Sequence, residues 1–218
     1  EMPIAVPSDK IIVGYWNIRG LAASLRMICE YAGAAYTSKE YAVGTKEDGG
    51  YDFTSWLVDD KPGLLEHNPL MNLPYIVDGS TVIAQSNACL SYLGRKFGLM
   101  GATEAELVRV EQAMCQVFDL RTETIRIAYG PKEAYDSGAP LHLTKGVAAH
   151  YAKLEGVLKK QGTRFVAIDS PTAPDFHLWE MIDETELWAK SLGLPSPVES
   201  FPLLKALHAA LRAEPKLA

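Results

Sequence analysis

Three cysteines in 218 residues leave little sulfur chemistry to the chain itself. Cys29, Cys89 and Cys115 are isolated, odd in number and form no CxxC. That excludes a disulfide framework, a thiol-redox pair and a zinc ribbon together. Each falls on an apolar helical face and is expected to be a buried free thiol. The five histidines, His67, His142, His150, His177 and His208, make no HExxH or other ligand spacing, so no metal site is expected. No Gly-rich phosphate loop is present, and no apolar run approaches the ~18 residues that a membrane span needs. Positive charge is in deficit: 21 Lys and Arg against 27 Asp and Glu give a net charge of −6, which argues against a nucleic-acid surface. Repeats and low-complexity tracts are absent. The N-terminus shows no apolar secretory core and no cleavage-like site, with Glu1-Met2 at most an appended remnant, so a cytoplasmic location is expected.

What remains is an ordinary globular composition, 48% apolar and 22% charged, long enough for one large domain or two small ones. The first ~100 residues mix strand and helix patterns. IIVGY, residues 11–15, is apolar and β-branched like a buried strand, and Leu21, Leu25 and Ile28 continue it as a helix over 22–32. A short strand is predicted at 36–42, then a long polar loop with a Gly49-Gly50 turn signal, then a short helix in SWLVDD. PYIVDGSTVIAQS reads as two strands joined around Asp78-Gly79, followed by a helix from Asn87 to Phe97. The order β-α-β then β-β-α implies a parallel pair with a right-handed crossover, followed by an antiparallel hairpin. Residues 98–102 are the expected linker between a domain at 1–97 and a second at 103–218. The second is almost purely helical, with helices predicted at 103–128, 142–161, 173–190 and 201–213. Thr172-x-x-Asp175 before an apolar run is a capping-box arrangement closed by Asp.

Three segments carry chemistry. IIVGYWNIRG delivers Tyr15 at the end of a strand. Asn72-Leu73-Pro74-Tyr75 puts a proline at a strand's first position, where it cannot donate to a ladder. With a cis bond there, the Leu73 backbone would be turned outward to pair with an extended peptide; a trans proline starting a strand is the alternative. Gln85-Ser86-Asn87 opens a helix with Ser86 as N-cap, a natural site for a ligand carboxylate. The whole describes a thioredoxin-like domain with a peptide-pairing edge and an anion pocket but no redox cysteines. Such a fold could act on a thiol that a ligand brings in.

These features together resemble a cytosolic glutathione transferase, closest to the mu class. The matching residues are G-Y-W-x-I-R-G-L-A (Gly14 to Ala22), S-W-L (Ser55 to Leu57), N-L-P-Y (Asn72 to Tyr75), Q-S-N-A (Gln85 to Ala88) and R-V-E (Arg109 to Glu111). The likeness runs through Asp119 and Tyr129 to the Thr172 box and the Phe201-Pro202 helix, covering nearly all of 11–215. It implies the glutathione transferase fold: a thioredoxin-like α/β domain (βαβ-ββα) followed by an all-α domain.

The resemblance also implies an enzyme of the EC 2.5.1.18 type, conjugating glutathione to small apolar electrophiles in detoxification. It implies no cofactor, glutathione being the co-substrate. Tyr15 would be the hydroxyl that hydrogen-bonds the glutathione sulfur. Trp16 and Trp56 would line the peptide groove, with the Trp56 indole N–H on the glycyl carboxylate and Lys61 screening it. Leu73 would pair its backbone with the cysteinyl part beside a cis Pro74, with Asn72 alongside. Gln85 and Ser86 would take the γ-glutamyl carboxylate. Asp119 would reach the γ-glutamyl amine of the neighbouring subunit, making the active form a homodimer. Leu21, counted among the glutathione-site residues, would with Tyr129 form part of the apolar wall for the electrophile.

The chain departs from the family pattern in several places. Phe53 stands where the family's Y-D-R-S-Q-W segment has a glutathione-contacting arginine, and the spacing to Lys61 is off by one. The stretch from Trp56 to Asn72 is about three residues longer than expected. Leu70 and Met71 replace an aromatic that normally inserts into the partner subunit. The chain ends soon after Leu211, which predicts an open electrophile pocket. Other functions on the same fold are a non-catalytic binder of hydrophobic ligands or structural protein, and a glutathione-dependent isomerase of sigma-like type.

Overall fold

The computed structural model describes residues 10–217; the N-terminal leader read above for targeting signals lies outside them. Two compact units divide at Leu93/Gly94.

The first unit is built on β1 (Ile11–Trp16), α1 (Gly20–Ala32), β2 (Tyr36–Tyr41), β3 (Gly44–Thr45), β4 (Tyr51–Asp52), α2 (Thr54–Leu57), α3 (Lys61–Leu65), β5 (Tyr75–Asp78) and β6 (Thr81–Ala84). The helix α4 (Ser86–Lys96) closes it and runs past the division. The sheet order is β2-β1-β5-β6, with β1 and β2 parallel and β5 antiparallel to both β1 and β6. The predicted βαβ-ββα order is therefore the observed one. Burial alternates along β1: Ile11, Val13 and Tyr15 lie on the face that α1 covers. On the opposite face, Ile12 and Trp16 pack against a cluster of Tyr41, Trp56, Leu64, Met71, Tyr75, Val77 and Ala84. This period of two is what a strand buried on both faces demands.

Two local expectations change. The polar stretch after β2 is not a plain loop: β3 and β4 pair as a two-residue hairpin, with Asp48 Oδ1 accepting from the Gly50 N–H at 2.9 Å in the turn. In the β5–β6 hairpin Asp78 pairs with Thr81, so the turn is Gly79-Ser80 and not Asp78-Gly79. Gly79 supplies the φ of 58° that such a tight turn requires, and the Asp78 carboxylate accepts from the Tyr92 hydroxyl at 2.8 Å.

The second unit is helical: α5 (Glu104–Ala128), α6 (Lys132–Leu141), a π turn (His142–Gly146), α7 (Val147–Gln161), α8 (Ala173–Ser191), α9 (Pro202–Arg212) and a 3-10 turn (Pro215–Leu217). α6 runs against its own sequence, because KEAYDSGAPL carries Asp, Ser, Gly and an internal Pro140, all poor helix formers. It runs through the π turn into α7, so the helix expected at 142–161 is the last part of a longer bent rod. Residues 98–102 are not a free linker either: Leu99 and Met100 are buried, and Gly94 leaves the space that Met100 occupies. Capping holds both long helices. Thr103 and Glu106 form a reciprocal capping box on α5. At α8 the Asp175 carboxylate accepts from the Thr172 N–H (2.8 Å), the Thr172 hydroxyl (2.6 Å) and the Val166 N–H (2.9 Å). Among the described residues no helix is long and apolar enough to cross a membrane, and no group of three or more His, Cys, Asp or Glu could hold a metal ion.

Candidate active site

Strand register gathers the three motif segments at one end of the sheet. Gly14 pairs with Tyr75, and Tyr75 with Ala84. Tyr15 follows Gly14 on β1, Pro74 stands just before β5 and Gln85 just after β6, so all three lie next to the last paired positions at that end. α1 and α4 both start at this end, immediately after β1 and β6. Free N–H groups and the positive ends of two helix dipoles therefore collect where Tyr15 arrives, an arrangement that favours an anion.

Tyr15 is 7% exposed, and its ring lies across Gly20 at the first position of α1. A Cβ added to Gly20 would stand 2.7 Å from Tyr15 Cε1 and 2.9 Å from its hydroxyl oxygen, and the glycine holds a φ of 42°. The hydroxyl is thus fixed beside the helix start by a residue that only glycine can be. The Leu73-Pro74 bond is cis, as the outward-turned arrangement required. Leu73 is half-buried and precedes the ladder, which begins at Tyr75; Asn72 is exposed.

Gln85 holds a φ of 72° without being glycine, a strained conformation that costs about 1–3 kcal/mol and gathers at functional positions. Its carbonyl accepts the first helical bond of α4, from the Cys89 N–H at 2.9 Å. Gln85 is therefore the cap position, and Ser86, expected there, is the first residue of the helix proper. Gln85 is exposed and Ser86 buried.

Trp56 lies deeper than a groove wall, 2% exposed, stacked on Tyr75 at 5.8 Å and edge-on to Tyr41 at 5.1 Å. Lys61, the first residue of α3, holds its ammonium 6.0 Å from the Trp56 ring centre. Trp16 is partly exposed and leans on Phe53 at 5.4 Å, so the residue replacing the family's arginine extends an aromatic surface. Leu21 is half-buried in the first turn of α1.

Beneath these residues lies a polar network that sequence reading did not find. The Tyr41 hydroxyl lies 2.7 Å from both Asp60 Oδ2 and the Tyr75 hydroxyl, and Asp60 also pairs with Lys39. Burial pushes both tyrosines up, Tyr75 to about 12, so both remain neutral donors. Its members are spread from position 39 to 75, and no spacing links them. In the second unit, Asp119 is exposed on α5. Tyr129, expected on that helix, is its C-cap residue and is 76% exposed. Cys29 and Cys89 are buried, each pushed up by burial to about 12. Cys115, expected to be buried, is exposed: Ala113, Met114 and Val117 carry the inward face of α5, and Cys115 points off it.

Comparison with known proteins bears on the family and the fold. Residues 12–95 match the family profile described as glutathione S-transferase, N-terminal domain, and residues 118–218 match that described as glutathione S-transferase, C-terminal domain. The chain is similar to Glutathione S-transferase Mu 1 of Oryctolagus cuniculus, 33% identical over 94% of this chain and 87% of that protein. It is 36% identical to Glutathione S-transferase Mu 2 of Rattus norvegicus over 88% of this chain and 82% of the relative. Among solved structures, the Pi-class glutathione S-transferase of Onchocerca volvulus superposes with a TM-score of 0.78 at 25% identity, covering 95% of this chain and 90% of the other.

Proposed function

This chain belongs to the glutathione S-transferase family, and we propose that it binds reduced glutathione at the Tyr15 end of the sheet and transfers the thiolate to small apolar electrophiles. The observation that carries the reading is the gathering of Tyr15, Pro74 and Gln85 at the strand ends beside two helix starts, in a unit whose own thiols, Cys29 and Cys89, are buried and held protonated. The nucleophile must then come with the ligand.

A free thiol near pKa 8.5 is only a few per cent thiolate at neutral pH, and the thiolate is the reactive form. Moving that ionisation down by about two pH units takes ~2.7 kcal/mol. A hydrogen bond to a charged group supplies ~1.5–3 kcal/mol, so one hydroxyl donor accounts for most of it. The donor has to be neutral, because a second negative charge would push the thiol the wrong way. In the transfer the thiol proton leaves to solvent, the sulfur lone pair bonds the electrophilic carbon, and that carbon's leaving group departs with its bonding pair. Where the electrophile is an activated double bond, a proton is taken up in place of the departure.

The γ-glutamyl carboxylate is assigned to Gln85, Ser86 and the start of α4. The cysteinyl backbone is assigned to Leu73, beside Asn72 and Pro74, and the glycyl end to Trp16, Trp56 and Lys61. Contacts to the electrophile are assigned to Leu21 in the first unit and to Tyr129 in the second, and no resident cofactor is needed. A homodimer with Asp119 crossing to the partner's glutathione is supported by α5, which leaves Val108, Phe118 and Asp119 exposed. A reduced, cytoplasmic setting and a detoxifying role agree with a thiol co-substrate and free cysteines.

The test is the pH–rate profile of Tyr15→Phe with chloro-dinitrobenzene. The ionisation of the bound thiol should move up by about one to two pH units, with turnover at neutral pH falling about ten- to a hundredfold. An unchanged profile rejects Tyr15 as the thiolate donor.

A further inference from the structure

The helical unit holds a second polar site, made of none of the residues assigned above to glutathione or the electrophile. Glu123 stands in the second half of α5 with its carboxylate between two histidines. Its Oε2 lies 2.9 Å from His150 Nε2, and the Gln116 amide nitrogen lies 2.7 Å from His150 Nδ1. The amide nitrogen can only donate, so the neutral His150 ring carries its proton on Nε2 and gives it to Glu123. Glu123 Oε1 faces the other histidine, 3.4 Å from His142 Nδ1. Behind that ring, the Thr124 hydroxyl spends its proton on the Leu120 carbonyl at 2.8 Å and so accepts from His142 Nε2 at 2.9 Å. Neutral His142 therefore turns a bare lone pair on Nδ1 toward a carboxylate. The residue is 3% exposed, and Nδ1 has no hydrogen-bond partner.

Two acceptors facing each other without a donor are costly in a folded chain, and backbone features hold them there. A Cβ on Gly146 would stand 2.5 Å from His142 Nδ1 and 3.1 Å from Glu123 Oε1, so glycine keeps the place open. The helix widens into its π turn over these same residues, His142–Gly146, and such turns recur at functional sites. Together Glu123, His142 and Gly146 form part of the lining of a cavity of about 540 Å³ that opens to solvent, with Ile127 and Leu141 as apolar wall and Lys145 beside them.

We propose that this cavity binds a small apolar molecule bearing a protonated primary amine, its ammonium seated on the Glu123 carboxylate. An ammonium brings three donors and one positive charge to the point where Glu123 Oε1 and His142 Nδ1 face each other as acceptors. The His150 hydrogen bond holds the Glu123 carboxyl below the usual range, and burial holds His142 down, so the carboxylate stays charged and the imidazole stays neutral. The exposed Lys145 ammonium disfavours doubly charged cations and leaves Ile127 and Leu141 to take the apolar body. Glu123 is then the ligand's charge partner, and His142, behind it, is a positioning residue.

The experiment titrates the full chain with 2-phenylethylammonium and, separately, with the uncharged 2-phenylethanol, following the imidazole signals of His142 and His150 by NMR. Saturable shifts at both rings are expected with a millimolar or tighter Kd for the amine and at least about tenfold weaker binding of the alcohol. Glu123→Gln, which keeps the shape, should cost the amine about tenfold while leaving glutathione conjugation unchanged. The amine–alcohol comparison on the unmutated chain decides the matter even if that variant folds poorly. Equal affinity for amine and alcohol overturns the proposal. So does an unaltered amine affinity in a folded Glu123→Gln, or an amine that leaves both histidines unmoved at millimolar concentrations.

Discussion

Gly20→Ala tests the active-site geometry without touching any group that is proposed to contact substrate. Two costs are readable in the structure. The φ of 42° suits glycine, and an alanine held there loses about 1–2 kcal/mol. The added methyl would also meet Tyr15 at 2.7 Å from Cε1 and 2.9 Å from the hydroxyl, too close for either atom to stay. Tyr15 is buried at the end of a paired strand, so the ring must tilt and carry its hydroxyl away from the start of α1. If the hydroxyl supplies ~1.5–3 kcal/mol to a bound thiolate, losing much of that bond lowers turnover by about one to two orders of magnitude.

The assay pairs thermal unfolding with the pH dependence of conjugation. The expected result is a modestly lower Tm, a KM for glutathione within a few-fold of the parent, and a bound-thiol ionisation moved up in the same sense as in Tyr15→Phe. Combining Gly20→Ala with Tyr15→Phe should add little to the catalytic loss, since both remove one interaction. A Gly20→Ala protein with normal Tm and a parental pH–rate profile would refute the placement of the hydroxyl. Full additivity with Tyr15→Phe would instead show that Gly20 acts on catalysis by another route.

The helical unit and the cysteines give two further tests. Asp175→Ala leaves three buried donors of Thr172 and Val166 without their acceptor and should cost about 2–4 kcal/mol, read as a drop in denaturant midpoint with catalysis intact in the folded fraction. Burial raises the Asp175 carboxyl to about 6 from 3.8. Between those values the folded chain holds a proton that the unfolded chain has lost, so this residue's contribution to stability falls as pH rises through the window and is level above it. The parent should therefore lose more stability than Asp175→Asn between about pH 4 and 6, and an identical slope in both contradicts the assignment. Maleimide labelling followed by mass spectrometry should reach Cys115 before Cys29 or Cys89, whose thiols are buried and held protonated; earlier reaction at either buried site counts against the packing.

How far the sequence could be read depended on whether the determinant was local. β1 and the β5–β6 hairpin were legible because Ile11 to Val13 is a β-branched run and Tyr75 to Ala84 carries two such runs on either side of the Gly79 turn. The start of α8 was legible because Thr172 and Asp175 sit at cap spacing. α6 was hidden by its own residues: Gly138 and Pro140 argue against a helix, and its stability comes from packing on α5 and the π turn. Cys115 was misread because two inward neighbours, Met114 and Val117, made the whole segment look apolar. Tyr15, Pro74 and Gln85 could be named by resemblance, but residue spacing alone does not bring them to one end of the sheet, since that follows only once the strand register is set. The Glu123 cluster was out of reach for a similar reason. Its histidines lie on two other elements, and only the Gly146 contact shows why they converge.

The two sites invert one another's charge logic. At the Tyr15 end of the sheet, a hydroxyl and two helix starts present donors, and the strained Gln85 backbone persists there because the fold holds it. In the helical unit, Glu123 Oε1 and the His142 Nδ1 lone pair face each other as acceptors, and Gly146 keeps their space from closing. Polar groups left unanswered in this way cost stability, and a chain that needed only to fold would do better to pair or remove them. On the proposed function, the donors of the first unit would be answered by the thiolate and carboxylates of glutathione. The same reasoning, applied to groups of the opposite sense, is what makes an ammonium the fitting guest at Glu123.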